Sequence, residues 1–256
     1  MKSIILMATG ILLAVSGIAQ HDTLKHPLNQ SGGLTVEYGF GKYAVRDEYI
    51  SKQKYSGSLP SFSINWSRYK PGRGYVLGIE SRSSEKIFSY KVSCRVTQNT
   101  LKQDYFYSIG KFRLFNNDIN TYLGPSITIL LFTFNYDFGT YNHVITESNG
   151  TIVSLGLNTQ FISNLTKKIS AEGGIHLSIA SITAKAFQSD KHDEPESKFL
   201  LVPKALNSGV DIGLRCFIFK SLSVKVLYRL HIYQINEWDP LIAASNNLIF
   251  SATYHL

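Results

Sequence analysis

The sequence predicts an all-β protein, a transmembrane antiparallel up-and-down β-barrel of about 10 strands. Three observations predict this fold class. The chain begins with an export signal, yet no later apolar run approaches the roughly 18 residues that a membrane-spanning helix needs. Its strand-like segments are separated alternately by long and by short polar stretches. Its final segment, 247–256, alternates apolar and polar side chains up to the last residue.

The first 19 residues have the parts of a secretory signal peptide. Lys2 precedes an apolar run at 4–15, and small residues follow at 17–19. Residues 20–32 are polar, and we expect them to form a flexible periplasmic lead-in. Nothing in the composition divides the remaining chain into two domains, so 33–256 is predicted to be one outer-membrane β-barrel.

The strand segments show a period of two. In the first of them, Leu34, Val36 and Tyr38 alternate with Thr35 and Glu37. Residues 87–96 also alternate, and they either extend the third strand above the membrane or form an eleventh or twelfth strand. The fourth strand is aromatic on both faces, which leaves its register open. The predicted strands are 33–43, 60–68, the segment from 74, 104–115, 121–135, 151–161, 168–184, 209–219, 222–232 and 247–256.

The separators between these segments alternate in length. Short turns are predicted at 69–73, 116–118, 163–166 and 220–221, and long loops at 44–59, 83–103, 136–150 and 185–205. A last loop, which holds 237–240, precedes the final strand. Short periplasmic turns and long extracellular loops are typical of transmembrane barrels, and an even number of strands returns both ends to the periplasm. A soluble lipocalin-like barrel shares the alternation, but it turns its apolar face inward and does not need this asymmetry.

The last strand carries the clearest family likeness. Its apolar face consists of Leu248, Phe250, Ala252, Tyr254 and Leu256. With the signal peptide and the turn rhythm, this strand resembles the C-terminal strand of small outer-membrane β-barrel families of Gram-negative bacteria. Tyr254 matches the family pattern, whereas Leu256 replaces the usual terminal aromatic residue. The resemblance implies a location in the bacterial outer membrane and recognition by the barrel-assembly machinery. We expect Leu248, Phe250, Tyr254 and Leu256 to act in barrel closure and assembly.

The polar strand faces carry charges that a barrel of this size would turn into a narrow interior. Charges in such a space have to pair, because unpaired charges are costly away from water. We therefore predict a charge network that plugs the lumen, and a narrow diffusion channel is the alternative. The network residues are Glu37, Glu80, Glu172, His176, Asp211, Arg215, Lys225, Arg229 and His231, and Arg82 shares their face.

An enzymatic function is the alternative to this interpretation. Ten strands is also the count of the omptin proteases, which use acidic pairs and an Asp–His pair at extracellular strand ends. The close grouping of acids with a His at 190–194 lies in a predicted loop, so no catalytic residue is carried over. His176 and Ser178 share a face, with a spacing similar to that of outer-membrane lipid A deacylases, but that face points to the lumen. We predict a non-enzymatic protein, with a protease or a lipid-modifying hydrolase as the alternative.

The charge of the chain points to anionic partners. Its formal net charge is +8, and export argues against nucleic acid as the partner. Two predicted loops hold more bases than acids, and we expect Lys52, Lys54, Lys91 and Arg95 to form a rim that engages lipopolysaccharide or an unidentified anionic partner. No His or Cys spacing suggests a metal site, and no cofactor is expected. Cys94 and Cys216 are predicted to be free thiols.

Overall fold

A computed structural model describes residues 32–48, 51–70, 72–89, 92–114, 117–138, 147–187, 196–202, 204–237 and 240–256. The predicted signal peptide, 1–19, and the lead-in up to residue 31 lie outside these ranges. Over the ranges given, no helix is long and apolar enough to cross a membrane.

The described residues form antiparallel β-strands joined in a single sheet. The connections at 70–73, 114–117, 164–169 and 219–222 lie at one end of this sheet, together with the outer ends of its first and last strands. The strands are β1 (Gly32–Asp47), β2 (Ser51–Ser58), β3 (Ser61–Lys70), β4 (Arg73–Ser89), β5 (Val92–Leu114), β6 (Asn117–Asp137), β7 (Glu147–Asn164), β8 (Ile169–Phe187), β9 (Glu196–Leu201), β10 (Ala205–Phe219), β11 (Leu222–Ile235) and β12 (Leu241–His255).

The sheet closes into a ring through 10 strands. The number of segments is larger because two ring strands are interrupted. β3 and β2 follow one another along β1, with Gly39 opposite Ser61 and Lys42 opposite Ser58. Pro60, which has no N–H to donate, lies at that interruption. β9 and β10 likewise follow one another along β8. The predicted fold class is confirmed.

The seam of the ring is the pair of β1 and β12. Their register runs from Gly33 opposite His255 to Asp47 opposite Leu241 without a bulge. The amide of Leu256 adds one more hydrogen bond, 2.8 Å long, to the carbonyl of Gly32. The final strand of the chain therefore closes the barrel along the whole length of β1.

Two of the predicted long loops are largely strand and a third contains a short strand, which corrects the sequence-based boundaries. β4 continues to Ser89 and β5 begins at Val92, so the predicted start of the fourth strand at 104 was wrong. Residues 87–96 are the tip of this hairpin and not an additional strand. β2 occupies much of the predicted loop at 44–59, and β9 lies within 185–205. These segments are polar because strands that stand in water have polar outer faces, and polarity alone suggested loops.

The outer surface of the ring carries an apolar band. On β1, Leu34, Val36, Tyr38 and Phe40 are exposed, while the residues between them face inward. Further toward the extracellular end the outward positions become polar, beginning with Lys42 on β1. The band is the surface that contacts lipid, and the strand ends beyond it stand in water.

Candidate functional site

The interior of the barrel has two zones, built by the side chains that alternate inward along each strand. The first zone holds charged and polar groups and lies at the level of the apolar band. The second zone is apolar and aromatic and lies at the extracellular end.

Arg229 is at the centre of one charged group. It lies directly opposite Asp211 in the register of β10 and β11, and its Nε donates to Asp211 Oδ1 at 3.0 Å. Its guanidinium also lies 3.7 Å from Glu80 Oε1 and 3.8 Å from Glu37 Oε2. Arg82 in turn donates to Glu80 Oε2 at 2.9 Å. One arginine thus joins carboxylates from three different strands.

A second charged group lies nearer the periplasmic end. Arg215 forms a two-point ion pair with Glu172, in which Nη2 donates to Oε2 at 3.1 Å and Nε donates to Oε1. Lys225, opposite Arg215 in the sheet, places Nζ 3.6 Å from Glu172 Oε2. Arg215 also donates to Ser223 Oγ at 3.2 Å, and that hydroxyl lies 2.9 Å from His255 Nε2. Ser223 is fully buried, so it is not a candidate nucleophile.

A third group was not predicted from the sequence. Asp104 on β5 accepts hydrogen bonds from Ser126 and Asn158, at 2.5 and 2.9 Å, and Lys102 Nζ lies 3.0 Å from its Oδ2. Lys102 was missed because the predicted fourth strand began at 104, and Asp104 was missed because the register of that strand was left open. The alternation of Val96, Gln98, Thr100, Lys102 and Asp104 is the signal that could have identified them.

The charges of these three groups balance. The carboxylates are Glu37, Glu80, Asp104, Glu172 and Asp211, and the cations are Arg82, Lys102, Arg215, Lys225 and Arg229, which makes five of each. Each of them lies within 4.0 Å of an opposite charge. A neutral, paired network of this kind avoids the large penalty of an uncompensated charge away from water.

The two predicted lumen histidines differ in their contacts. His231 Nε2 lies 2.7 Å from Asn207 Oδ1. Neither ring nitrogen of His176 has a partner among the described residues. Ser178 Oγ accepts the backbone N–H of Asn207 at 2.7 Å, so the structure does not join Ser178 to His176 as a nucleophile and its base. Residues 190–194 lie outside the described ranges, and within those ranges no group of His, Cys, Asp and Glu is arranged to hold a metal ion.

A cavity of about 230 Å³ lies among the charged groups. Ser67, Tyr69 and His255 line it at the periplasmic end, and Arg82 and His231 line its far end. The charged zone therefore contains space for water or a small solute, and that space does not extend into the apolar zone.

The apolar zone forms a cap across the extracellular end. The Tyr43 and Tyr233 hydroxyls lie 2.8 Å apart, and Gln98 Nε2 donates to both at 2.7 Å. Burial raises the pKa of the Cys94 thiol to about 12, so this group stays uncharged in its apolar surroundings. The cap residues are Tyr43, Val45, Tyr55, Leu59, Ile87, Cys94, Val96, Leu130, Phe132, Phe134, Tyr136, Ile152, Leu200, Ala205, Tyr233, Ile235, Leu241 and Ala243.

The sequence analysis did not predict the cap. Most of its members come from strand ends that had been assigned to loops, such as Tyr55 on β2 and Ile87 on β4. Cys94 was also placed in a loop, whereas it is buried on β5. Alternation at Tyr43 and Val45, which continues the inward face of β1, is the signal that could have shown the zone.

The outer surface beyond the apolar band is basic on one side of the barrel. Lys52 and Lys54 are exposed on β2, and Arg95 is exposed on β5. The structure therefore places these predicted rim residues on strands and not in loops, while Lys91 lies outside the described residues. Further exposed bases on the same strands or their neighbours are Lys42, Arg46 and Lys86.

Comparison with known proteins identifies the fold. No protein-family model and no curated protein sequence matches the chain. The outer membrane protease OmpT from Escherichia coli matches over 92% of this chain and 99% of its own, with a TM-score of 0.51 and 10% identity. The translocator domain of the autotransporter NalP from Neisseria meningitidis matches over 99% and 97%, with a TM-score of 0.47 and 10% identity.

The attachment protein Ail of Yersinia pestis is a further structural neighbour, with a TM-score of 0.35 and 8% identity over 89% of this chain and 99% of its own. At such identities the likeness concerns the fold and not the activity. The likeness to OmpT, together with the outward apolar band, confirms the predicted fold class. The chain has the fold of bacterial outer-membrane β-barrel proteins, which supports the predicted outer-membrane location.

Proposed function

We propose that this protein is a non-conducting outer-membrane barrel with a plugged interior, whose function is carried out by its extracellular surface. The observation that carries the proposal is the succession of two different fillings along the barrel axis. A paired charge network occupies the membrane-spanning part, and the apolar cap covers its extracellular end.

Each filling opposes ion flow for its own reason. In the charged zone, a permeating ion would have to displace a partner of Arg229 or Arg215, and each of these arginines holds its carboxylate at two points. In the cap, an ion would lose its hydration among mainly apolar side chains, which is very unfavourable. The buried side chain of Asp47 also lies among them. The cavity of about 230 Å³ supplies water only on the periplasmic side of the cap.

A narrow channel is the competing function, and planar-bilayer recording of the purified protein separates the two. We expect no steady step conductance from the unmodified protein. The variant with Tyr43→Ala, Phe132→Ala and Tyr233→Ala should conduct only in brief openings, because it removes three large side chains from the cap while the charge network remains. The matched control carries Tyr38→Ala, Phe40→Ala and Tyr228→Ala on the outer face and should stay closed. Steady conductance steps from the unmodified protein would overturn the proposal.

A further inference from the structure

We infer that the basic outer wall of β1, β2, β4 and β5 binds the phosphate groups of lipopolysaccharide in the surrounding outer leaflet. The basic outer wall is defined as the exposed side chains of Lys42, Arg46, Lys52, Lys54, Lys86 and Arg95. The inference rests on the proposed function, in that it names the partner of the extracellular surface.

The bases of the basic outer wall lie just beyond the lipid-facing residues of the same strands. Lys42 is two residues beyond Phe40 on the same outward face of β1, which places it about 7 Å further along the strand. Arg95 is six residues beyond the exposed Leu101 on the outward face of β5, about 20 Å along the strand. Because the strands of such barrels are tilted, the corresponding heights are smaller. The basic outer wall therefore begins where the apolar band ends, at the level of lipid headgroups.

The bases of the basic outer wall lie in two local groups. Arg46 lies between Val45, opposite Tyr55, and Asp47, opposite Ser51, so it faces the stretch of β2 that carries Lys52 and Lys54. Lys86 and Arg95 lie at the same register shift in the pairing of β4 with β5. Phosphate groups are bound well by two or more such cations acting together, and arginine can hold two phosphate oxygens at once.

Phe88 adds an apolar element between these two groups. Its side chain is 54% exposed, and it lies opposite Ser56 at the step that joins β2 to β4. An exposed phenylalanine among cations fits a partner that combines phosphate with acyl chains or sugar rings, and it is poorly suited to a free phosphate ion. This observation favours the glycolipid as the source of the phosphate.

The strands of the basic outer wall carry an excess of positive charge on their outer faces. The basic outer wall has six bases, and the acids beside them are Glu48, which follows β1, and Glu85 on β4, which leaves an excess of four positive charges. Glu48 pairs with Arg46 at 3.0 Å, and within the described ranges none of the other five bases has an ion pair. On the neighbouring β6 the corresponding outward residues are Thr133, Asn135 and Asp137. The excess charge therefore does not continue onto β6, and anions bound to the basic outer wall would relieve its self-repulsion.

The test measures binding of purified lipopolysaccharide to the detergent-solubilised protein at low and high salt. The variant with Arg46→Gln, Lys54→Gln, Lys86→Gln and Arg95→Gln should bind it about tenfold or more weakly, because it loses both groups of cations. The matched control carries Lys70→Gln, Arg73→Gln, Lys111→Gln and Lys220→Gln at the exposed periplasmic end, and it should bind as the unmodified protein does. Folding of each variant is checked by its heat-dependent mobility on gels.

Two further arms identify the source of the phosphate. Dephosphorylated lipopolysaccharide should bind the unmodified protein as weakly as the intact form binds the variant, and millimolar inorganic phosphate should not compete. Equal binding by the variant and the unmodified protein, or equal weakening in the control, would overturn the inference. Bilayer conductance is recorded on the same preparations. A conducting protein that still loses lipopolysaccharide binding in the variant would contradict the proposed function alone, and a closed protein with unchanged binding would contradict the inference alone.

Discussion

Removal of the Arg229 guanidinium is the perturbation that tests the charge network most sharply. Arg229→Met keeps most of the side-chain volume but leaves Asp211 without its ion-pair partner. It also removes the positive charge that lies within 4.0 Å of the Glu80 and Glu37 carboxylates. Breaking a buried ion pair from one side typically destabilises a protein by about 3–5 kcal/mol. Because Arg229 borders the polar cavity and its side chain is 21% exposed, we expect the lower end of that range, about 3 kcal/mol.

The assay is urea-induced unfolding of the refolded barrel in detergent, followed by tryptophan fluorescence. Lys225→Met is the matched control, because its ammonium lies 3.6 Å from a Glu172 that Arg215 already holds at two points. We expect this control to lose clearly less than Arg229→Met does, because Glu172 keeps its ion pair with Arg215. Adding Asp211→Leu to Arg229→Met should recover part of the loss, since it removes the orphaned carboxylate. Equal losses for Arg229→Met and Lys225→Met would refute the reasoning.

Two further predictions concern the seam between β1 and β12. A Cβ added at Gly41 would lie 1.8 Å from the carbonyl oxygen of Asn246, so Gly41→Ala should lower the free energy of unfolding by about 1–3 kcal/mol. Gly173→Ala is the control, because a Cβ there would meet no atom nearer than 3.6 Å, and it should be close to neutral in the same urea assay. Deletion of 250–256 removes the strand partners of Gly33 to Tyr38 on β1 and should abolish the folded, heat-modifiable form in isolated outer membranes. Leu256→Phe is the control and should assemble normally, because it supplies a terminal aromatic residue. A folded truncated protein would argue against closure through β12.

The parts of the fold that could be predicted are those that depend on alternation within a strand. Leu34, Val36 and Tyr38 had to face lipid once the chain was assigned to a barrel, and the pairs of Asp211 with Arg229 and Glu172 with Arg215 follow from polar faces meeting in a narrow interior. Alternation is local, so one sequence is sufficient to show it.

The parts that could not be predicted depend on how far each strand continues beyond the lipid. Above the apolar band the outer face is polar, so the contrast between faces fades and segments such as β2 looked like loops. The cap was missed for the same reason, because Tyr43 and Tyr233 come from distant parts of the chain and meet only after the ring has closed. The rim residues were identified as basic and exposed, but their grouping on adjacent strands needed the register.

The most direct test of the central claim asks from which side the lumen can be reached. Single cysteines are placed at Thr100, which lines the cavity beneath the cap, and at the adjacent outward-facing Asn99, in a background with Cys94→Ala and Cys216→Ala. A charged, membrane-impermeant thiol reagent is then added to intact cells or to cells whose periplasm has been opened. If the barrel is capped, Asn99→Cys reacts from outside, whereas Thr100→Cys reacts only once the periplasmic side is accessible. Reaction of Thr100→Cys in intact cells at the rate of Asn99→Cys would contradict a sealed extracellular end.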